Sequence, residues 1–467
     1  MRCSAACNEM EARSYFLPGI EPTEFADREF GPGEDRVTLR CPIVTRGLLT
    51  NVAGRITQAR DAYLSSRPSS QIIAAIDSAV QRWLDPSYPL RQEAEALMPV
   101  VTGYSTQMVR RGLPELLAPF RREGLTALLE AELGDPQLLD DGRAQGSRLT
   151  TCILAGNIPV VAVGSIVHSL LLKSACLVKS SSGDPIFPVL FARSLAEADP
   201  ELASALAVVW WQGGSEEVER AAFDVSGAVV VSGNDATIDS LKPLISPPAR
   251  FVGYGHRISF AAIGREKLAL STAKALAAKT AWDVGFFDQQ GCVSPQAIYV
   301  EQRGKVAPSE FAEILAREMA QLEKRLPRGR LALEEASAIQ QARAAWELRQ
   351  AANDGLRLFR SDGSTAWTIV YEETPTLQPT CLNRTIRIVP IGDLSALPSA
   401  VAPMGRYLQT AGLAVSRKRL APLASALASV GVSRVCPIGR MQYPPASWPH
   451  DGLPNLLNLV TWADDLG

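Results

Sequence analysis

The sequence predicts an α/β protein built on parallel sheets, and three observations carry that prediction. From Leu149 onward, short apolar runs alternate with helix-forming stretches. Those runs end in small, polar or basic residues. A second alternating stretch begins near Ile258. Strands spaced by helices in this way pair in parallel, because each crossover has to pass over a face of the sheet.

The first third of the chain reads as mainly helical. In "SSQIIAAIDSAVQRWL", Ile72, Ile76, Ala79 or Val80, and Trp83 recur at helical spacing. Ser69 or Ser70 can cap this helix, and Asp85-Pro86 ends it. "TALLEAEL", from Thr126, predicts a second helix. Gly134 to Gly146 is polar and rich in turn residues, and reads as an excursion or linker.

The first α/β stretch follows. "LTTCIL" predicts a buried strand, "GNIP" a turn, and Val160 to Lys173 a helix. "CLVK" is the next strand, and Asp184-Pro185 opens a helix running to about Ala198. "ALAVVW", "GAVVVSG" and "ARFVGY" are further strands, with "SEEVERAA" and "DATIDSLK" as helices between them. Ligands of such sheets bind at the carboxyl ends of strands. There the sequence puts Asn157, Lys179 with Ser180 to Ser182, Gln212 to Gly214, and Ser232 to Asn234, a set that suits a phosphate-bearing ligand.

In the second stretch "RISFAAI" predicts a strand and Lys267 to Trp282 a helix. Cys292 sits in the loop before the strand "QAIYVE". "SEFAEILAREMAQLEKRL" is amphipathic, and "NRTIRIVPI" is a later strand.

Composition narrows the function. The 467 residues are 46% hydrophobic with net charge -2, which fits a globular protein and gives no clustered basic surface for nucleic acid. No run of apolar residues is long enough to span a membrane, and a cytoplasmic location is expected. The eight cysteines include no CxxC pair and the three histidines are scattered, so neither zinc nor a disulfide framework is expected. GxGxxG, GxxxxGK[ST] and GxSxG are all absent.

Cys292 by itself fits either a core filler or a nucleophile. Gly291 before it allows close backbone approach, and a loop ahead of a strand suits a reactive group on a rigid scaffold. Asn157 could donate to an oxyanion or simply shape a turn before Ile158-Pro159. Lys179 could meet a phosphate or end a strand in solvent, and "VVVSGND" could hold a pyrophosphate or be an ordinary turn into a helix. His256 reads as structural.

In order along the chain, "LAGNIPVVAVGSIVHSLLLKSACLVKSSSGDP", "VVVSGNDATI", "RFVGYGHRISFAAI", "FFDQQGCVSPQAIYVE", "LNRTIRIV" and "HDGLPNLLNLVTW" resemble the fatty-acyl-CoA reductases of bacterial bioluminescence, the LuxC-type branch of the aldehyde dehydrogenase superfamily. That resemblance implies an aldehyde dehydrogenase-like fold. Residues 1–257 would hold a helical N-terminal part and a Rossmann-like cofactor domain (core 149–257). Residues 258–436 would form the catalytic domain, and 437–467 a segment that packs back or oligomerises.

The resemblance also implies NADPH-dependent reduction of an acyl-CoA or carrier thioester through a thioacyl enzyme. Cys292 matches the nucleophile and Asn157 the oxyanion amide. Lys179 matches the lysine that grips the adenosine ribose or its phosphate, and Ser181 or Ser182 leaves room for a 2′-phosphate. Gly233 and Asn234 match the pyrophosphate turn. An acyl-activating or acyl-transfer partner and a homo-oligomer are expected by the same analogy. The segment "FVGYGHRIS" has no carboxylate where hydrolytic relatives carry a general base, and no clear counterpart of the glutamate that holds the nicotinamide ribose stands near "TLQPTCLNRTI". A non-redox acyl carrier and a hydrolytic aldehyde dehydrogenase are the alternatives.

Overall fold

A computed structural model describes residues 9–32, 35–159, 161–352 and 355–464. Cys3, Cys7 and Val160 lie outside the described residues. The chain forms two compact units, residues 1–255 with 445–467 and residues 256–444, where the sequence had suggested boundaries at 257 and 436.

The first unit begins with an element the sequence reading missed. Strands β1 (Glu9–Arg13), β2 (Phe25–Phe30) and β3 (Arg36–Pro42) form a small sheet in the order β1-β3-β2. Charged residues fill its outer faces, so no apolar run announces it. Only the alternation of buried Val37, Leu39 and Cys41 in β3 carries the strand signature. Helices then follow, as expected, including Ser69–Leu84 and Arg122–Leu133. The first of these starts without a serine cap, since Ser69 instead donates its backbone N–H and its hydroxyl to Asp140 at 2.8 and 3.0 Å. Trp83 anchors that helix through a 2.8 Å bond from its indole N–H to Ser194. Asp140 also pairs with Lys173 at 2.8 Å, so the polar stretch 134–146 is tied down rather than a free linker.

The main sheet of this unit contains β5 (Leu149–Ile153), β6 (Ala175–Lys179), β7 (Leu206–Val209), β8 (Ala228–Ser232) and β9 (Arg250–Tyr254), preceded by the short β4 (Ala144–Gly146). All five pair in parallel in the order β7-β6-β5-β8-β9. The strand order reverses between β5 and β8, the switch point at which ligands of doubly wound sheets bind. Leu49, Val52 and Ile56 from one helix and Phe223 from another cover one face of Ile153, Leu177, Val209 and Val231. Each such side chain adds roughly 1.5–3 kcal/mol of burial. The helix after Asp184 starts at Phe187, whose N–H the Asp184 carboxylate accepts at 3.0 Å, so Pro185 stands ahead of the first turn and Pro188 lies in it.

The second unit holds β10 (Ile258–Ile263), β11 (Pro295–Glu301), β12 (Arg357–Arg360), β13 (Thr368–Tyr371), β14 (Thr385–Ile391), β15 (Leu408–Ala414) and β16 (Arg434–Pro437). Their order is β12-β13-β14-β11-β10-β15-β16, with only the β12 edge antiparallel. The interior strand β10 carries a register break at Ser259 toward both neighbours. The C-terminal segment returns to the first unit, where β17 (Val460–Trp462) pairs with β4. Among the described residues, no helix is long and apolar enough to cross a membrane.

Candidate active site

In the first unit, the predicted binding residues gather at the carboxyl ends of the parallel strands. Lys179 is the last residue of β6 and half-buried. Burial pushes its ammonium below the usual lysine range, Glu219 opposes that effect, and the Arg28 cation adds to it. Among the described residues the Lys179 ammonium has neither a hydrogen bond nor an ion pair.

The two serines differ. Ser181 turns inward, accepting the Gly183 N–H at 3.0 Å, and a Cβ on Gly156 would overlap its hydroxyl. Glycine at 156 is therefore what lets the loops after β5 and β6 touch. Ser182 is exposed and accepts the indole N–H of Trp210 at 3.2 Å. Gly233 follows β8, and Asn234 caps the next helix by accepting from Thr237 N–H at 2.8 Å. Asn157 is exposed in the turn after β5, where the Tyr104 hydroxyl donates to its backbone carbonyl.

Sequence reasoning missed two residues here. Trp210 follows β7, and its ring lies beneath Arg28 of β2, whose guanidinium carbon is 3.8 Å from the ring centroid. The chain reaches this place because Phe16 pairs with Val208, exchanging two backbone bonds of 2.8 Å at the β7 edge. Asp235, at the start of the helix after β8, lies near the segment after β9. The segment after β9 has no carboxylate of its own, yet a Cβ on Gly255 would come within 2.8 Å of the Asp235 carboxylate.

Cys292 belongs to the second unit and is half-buried. Its loop is built from unusual backbone. Phe287, Asp288 and Gln289 take φ of 44, 53 and 67°, and Leu382, Asn383 and Arg384 take 55, 52 and 63°. Six non-glycine residues in the left-handed region are costly, and such strain persists only where surrounding contacts hold it. The contacts are present. Buried Gln289 donates to Pro295 O and Thr385 O at 2.8 and 3.0 Å and accepts from Thr385 N–H at 2.8 Å. Gln290 donates to Asn383 at 3.0 Å. Arg384 pairs with Asp288 at 2.8 Å.

Beyond the cysteine, Ser294 N–H closes a turn on Gly291 O at 2.9 Å, and Gln442 donates to the Ser294 hydroxyl at 2.9 Å. The Ser259 hydroxyl donates to the Cys292 carbonyl at 2.6 Å and accepts from Thr410 N–H at 3.1 Å. The register break in β10 is what turns Ser259 to this task.

Charge near the sulfur comes from Arg434, held by the carbonyls of Met441 and Arg440 at 2.6 and 3.0 Å. Burial lowers its pKa, and electrostatic attraction to Cys436, Asp283 and Cys292 raises it. Asp283 fastens the same 439–441 segment by accepting from Gly439 and Met441, and burial lifts its carboxyl to about 7. A thiol beside a fixed guanidinium and on a rigid loop is suited to nucleophilic attack. Among the described residues, no three His, Cys, Asp or Glu side chains gather where they could hold a metal ion.

The residues of the first unit fit a nicotinamide dinucleotide. Lys179, Trp210 and the turn at Gly233, which has no side chain, stand at the ends of β6, β7 and β8, and Arg28 of β2 lies over the Trp210 ring. The Arg28 Nη1 atom is buried with no partner among the described residues.

Comparison with known proteins identifies the family and the fold. The family described as acyl-CoA reductase (LuxC) matches residues 64–462. A long-chain acyl-protein thioester reductase of Aliivibrio fischeri is 25% identical over 344 residues, covering 70% of this chain and 68% of the relative. A second such reductase, from Photobacterium leiognathi, is 23% identical over 415 residues, covering 84% and 81%. Among solved structures, an NAD-dependent benzaldehyde dehydrogenase from Corynebacterium glutamicum superposes with TM-score 0.70 at 12% identity, covering 96% of each chain. The aldehyde dehydrogenase fold is therefore that of this protein.

Proposed function

This chain belongs to the acyl-CoA reductase (LuxC) family, an acyl-reducing oxidoreductase type, and from that premise we propose that it reduces a long-chain acyl thioester to an aldehyde through Cys292, with NADPH as reductant. The observation that supports the reading is the built loop around Cys292, in which two strained turns shape the backbone, Ser259 bonds the Cys292 carbonyl, and Arg434 attracts the half-buried thiol's charge.

The Cys292 thiolate attacks the acyl carbonyl, the C–S bond of the incoming thioester breaks, and the leaving thiolate takes a proton. The acyl group is then a thioester of Cys292. Arg434 favours the thiolate before attack, and Ser259 fixes the Cys292 backbone. Asn157 takes the oxyanion role by family analogy. When bound, NADPH supplies the hydride that the acyl carbon accepts. Hydride addition leaves a thiohemiacetal oxyanion on Cys292, and as its C–S bond breaks the oxygen electron pair re-forms the carbonyl, giving the aldehyde and the free thiolate. Lys179 and Ser182 take the adenosine ribose end, and Gly233 and Asn234 the pyrophosphate.

The donor is a carrier-protein or CoA thioester, the former favoured by the description of the relatives. An acyl-transfer partner and self-association complete the proposal. The test is thiol release. Mixed with an acyl thioester before any NADPH, the protein should release about one equivalent of thiol per chain, the signature of covalent catalysis. Cys292→Ala should release none, and release by that variant at the parent rate overturns the reading. NADPH added afterwards should yield aldehyde; free acid instead would mark a hydrolytic enzyme.

A further inference from the structure

Arg28 and Lys179 lie within electrostatic range of one another in the first unit, and neither forms an ion pair among the described residues. The Arg28 cation works against the charge on Lys179, and the Glu219 carboxylate supports it. No carboxylate pairs with either among the described residues. Glu219, the acidic group within range of Lys179, is buried and already accepts the Gly214 N–H at 2.9 Å. Like charges held together in this way are stabilised by an anion, and a guanidinium is the side chain that best recognises phosphate.

The Arg28 guanidinium is also fixed in place. It lies over the Trp210 ring at 3.8 Å and over the Phe30 ring at 4.9 Å. Its Nη1 is buried and has no acceptor among the described residues. A buried donor left unmatched is costly, and burial also works against the charge itself. The same Trp210 donates to the exposed Ser182 hydroxyl, which draws Arg28, Ser182 and Lys179 to one corner of the strand ends. A 5′-linked adenosine whose ribose sits on Lys179 would present its 2′ position to that corner.

We propose that Arg28, carried in by the N-terminal sheet, binds the 2′-phosphate of the cofactor together with Lys179 and Ser182, and is the residue that sets preference for the phosphorylated dinucleotide. The proposal rests on the cofactor reading above and adds to it a residue about 150 positions away from the strand-end motifs.

Equilibrium binding of two cofactor fragments tests it without catalysis. Adenosine 2′,5′-bisphosphate and adenosine 5′-monophosphate are titrated by calorimetry into the parent, Arg28→Met and Arg28→Lys. Methionine keeps apolar contact with Trp210, and ligand-free melting checks that each variant is folded. The parent should bind the bisphosphate at least tenfold more tightly. Arg28→Met should lose roughly tenfold or more for the bisphosphate, the size of a charge-assisted hydrogen bond, and less than twofold for the monophosphate. Arg28→Lys should recover part of the loss. If the parent discriminates and Arg28→Met discriminates equally, or if Arg28→Met weakens both ligands alike, the role of Arg28 is wrong and the cofactor reading stands. If the parent does not discriminate, the preference for NADPH falls along with it.

Discussion

Ser259 reaches from the register break in β10 to the backbone of Cys292, donating its hydroxyl to the cysteine carbonyl at 2.6 Å. The same oxygen accepts the Thr410 N–H, so one hydroxyl ties the reactive loop to two neighbouring strands. A nucleophile gains from such anchoring because a small misplacement costs a large factor in rate.

Ser259→Ala should therefore slow acylation more than it weakens any ligand. It removes the hydroxyl's bonds to the part-buried Cys292 carbonyl and to the buried Thr410 N–H, and an unsatisfied buried group costs about 1–3 kcal/mol. Acylation of Cys292, followed by rapid-quench mass measurement, should fall roughly tenfold at saturating thioester, a change of about 1.4 kcal/mol in barrier. NADPH affinity should be unchanged. An acylation rate equal to the parent's would remove Ser259 from this role.

Arg434→Met should shift the reactivity of Cys292 along the pH axis. The guanidinium and the cysteine attract one another, so removing the cation disfavours the thiolate. The midpoint of iodoacetamide alkylation against pH should move upward, while the plateau rate at high pH stays close to the parent's. An unchanged midpoint would show that the cation does not act on the sulfur.

Asp184 and Asp283 make stability fall as pH rises. Burial lifts both carboxyls to about 7 from an ordinary value of 3.8. A raised folded-state pKa means the folded protein holds its proton longer than the unfolded chain. The contribution is complete below about pH 4 and is lost as pH climbs through about 7. Chemical denaturation should show that the stability gap between parent and Asp184→Asn or Asp283→Asn narrows from pH 5 to pH 8 by a few kcal/mol at most. A gap independent of pH would contradict the assignment.

Ser182→Glu should reverse the cofactor preference. The new carboxylate would stand beside Trp210, where the hydroxyl now accepts the indole N–H, and would meet Lys179 and Arg28 in place of a phosphate. NADPH should bind roughly 10- to 100-fold more weakly, with NADH unchanged or tighter. Fluorescence titration of both cofactors measures this. Equal loss for both would mean the residue lies elsewhere than the 2′ position.

Much of the first unit was legible in the sequence, because buried parallel strands are short apolar runs and their ends carry Asn157, Lys179 and Gly233. Ser181 and Ser182 could not be told apart, since their difference depends on the loop at Gly156 and on Trp210. β1 to β3 stayed hidden because charge covers their outward faces, and Arg28 with them. The partners of Cys292 left still less trace. Ser259 and Gln289 are polar residues buried by contacts with Thr410 and Thr385, more than ninety positions away. The alternation of Val37, Leu39 and Cys41 in β3 was the one local hint of the N-terminal sheet.

The most direct test of the account is the intact mass of the protein after mixing with a long-chain acyl thioester and again after NADPH. The parent should gain the mass of one acyl group, located on Cys292 by peptide mapping, and lose it on reduction as aldehyde forms. Cys292→Ala should gain no mass and make no aldehyde. Aldehyde formed by Cys292→Ala near the parent rate, or an acyl group stable to NADPH on the parent, would contradict it.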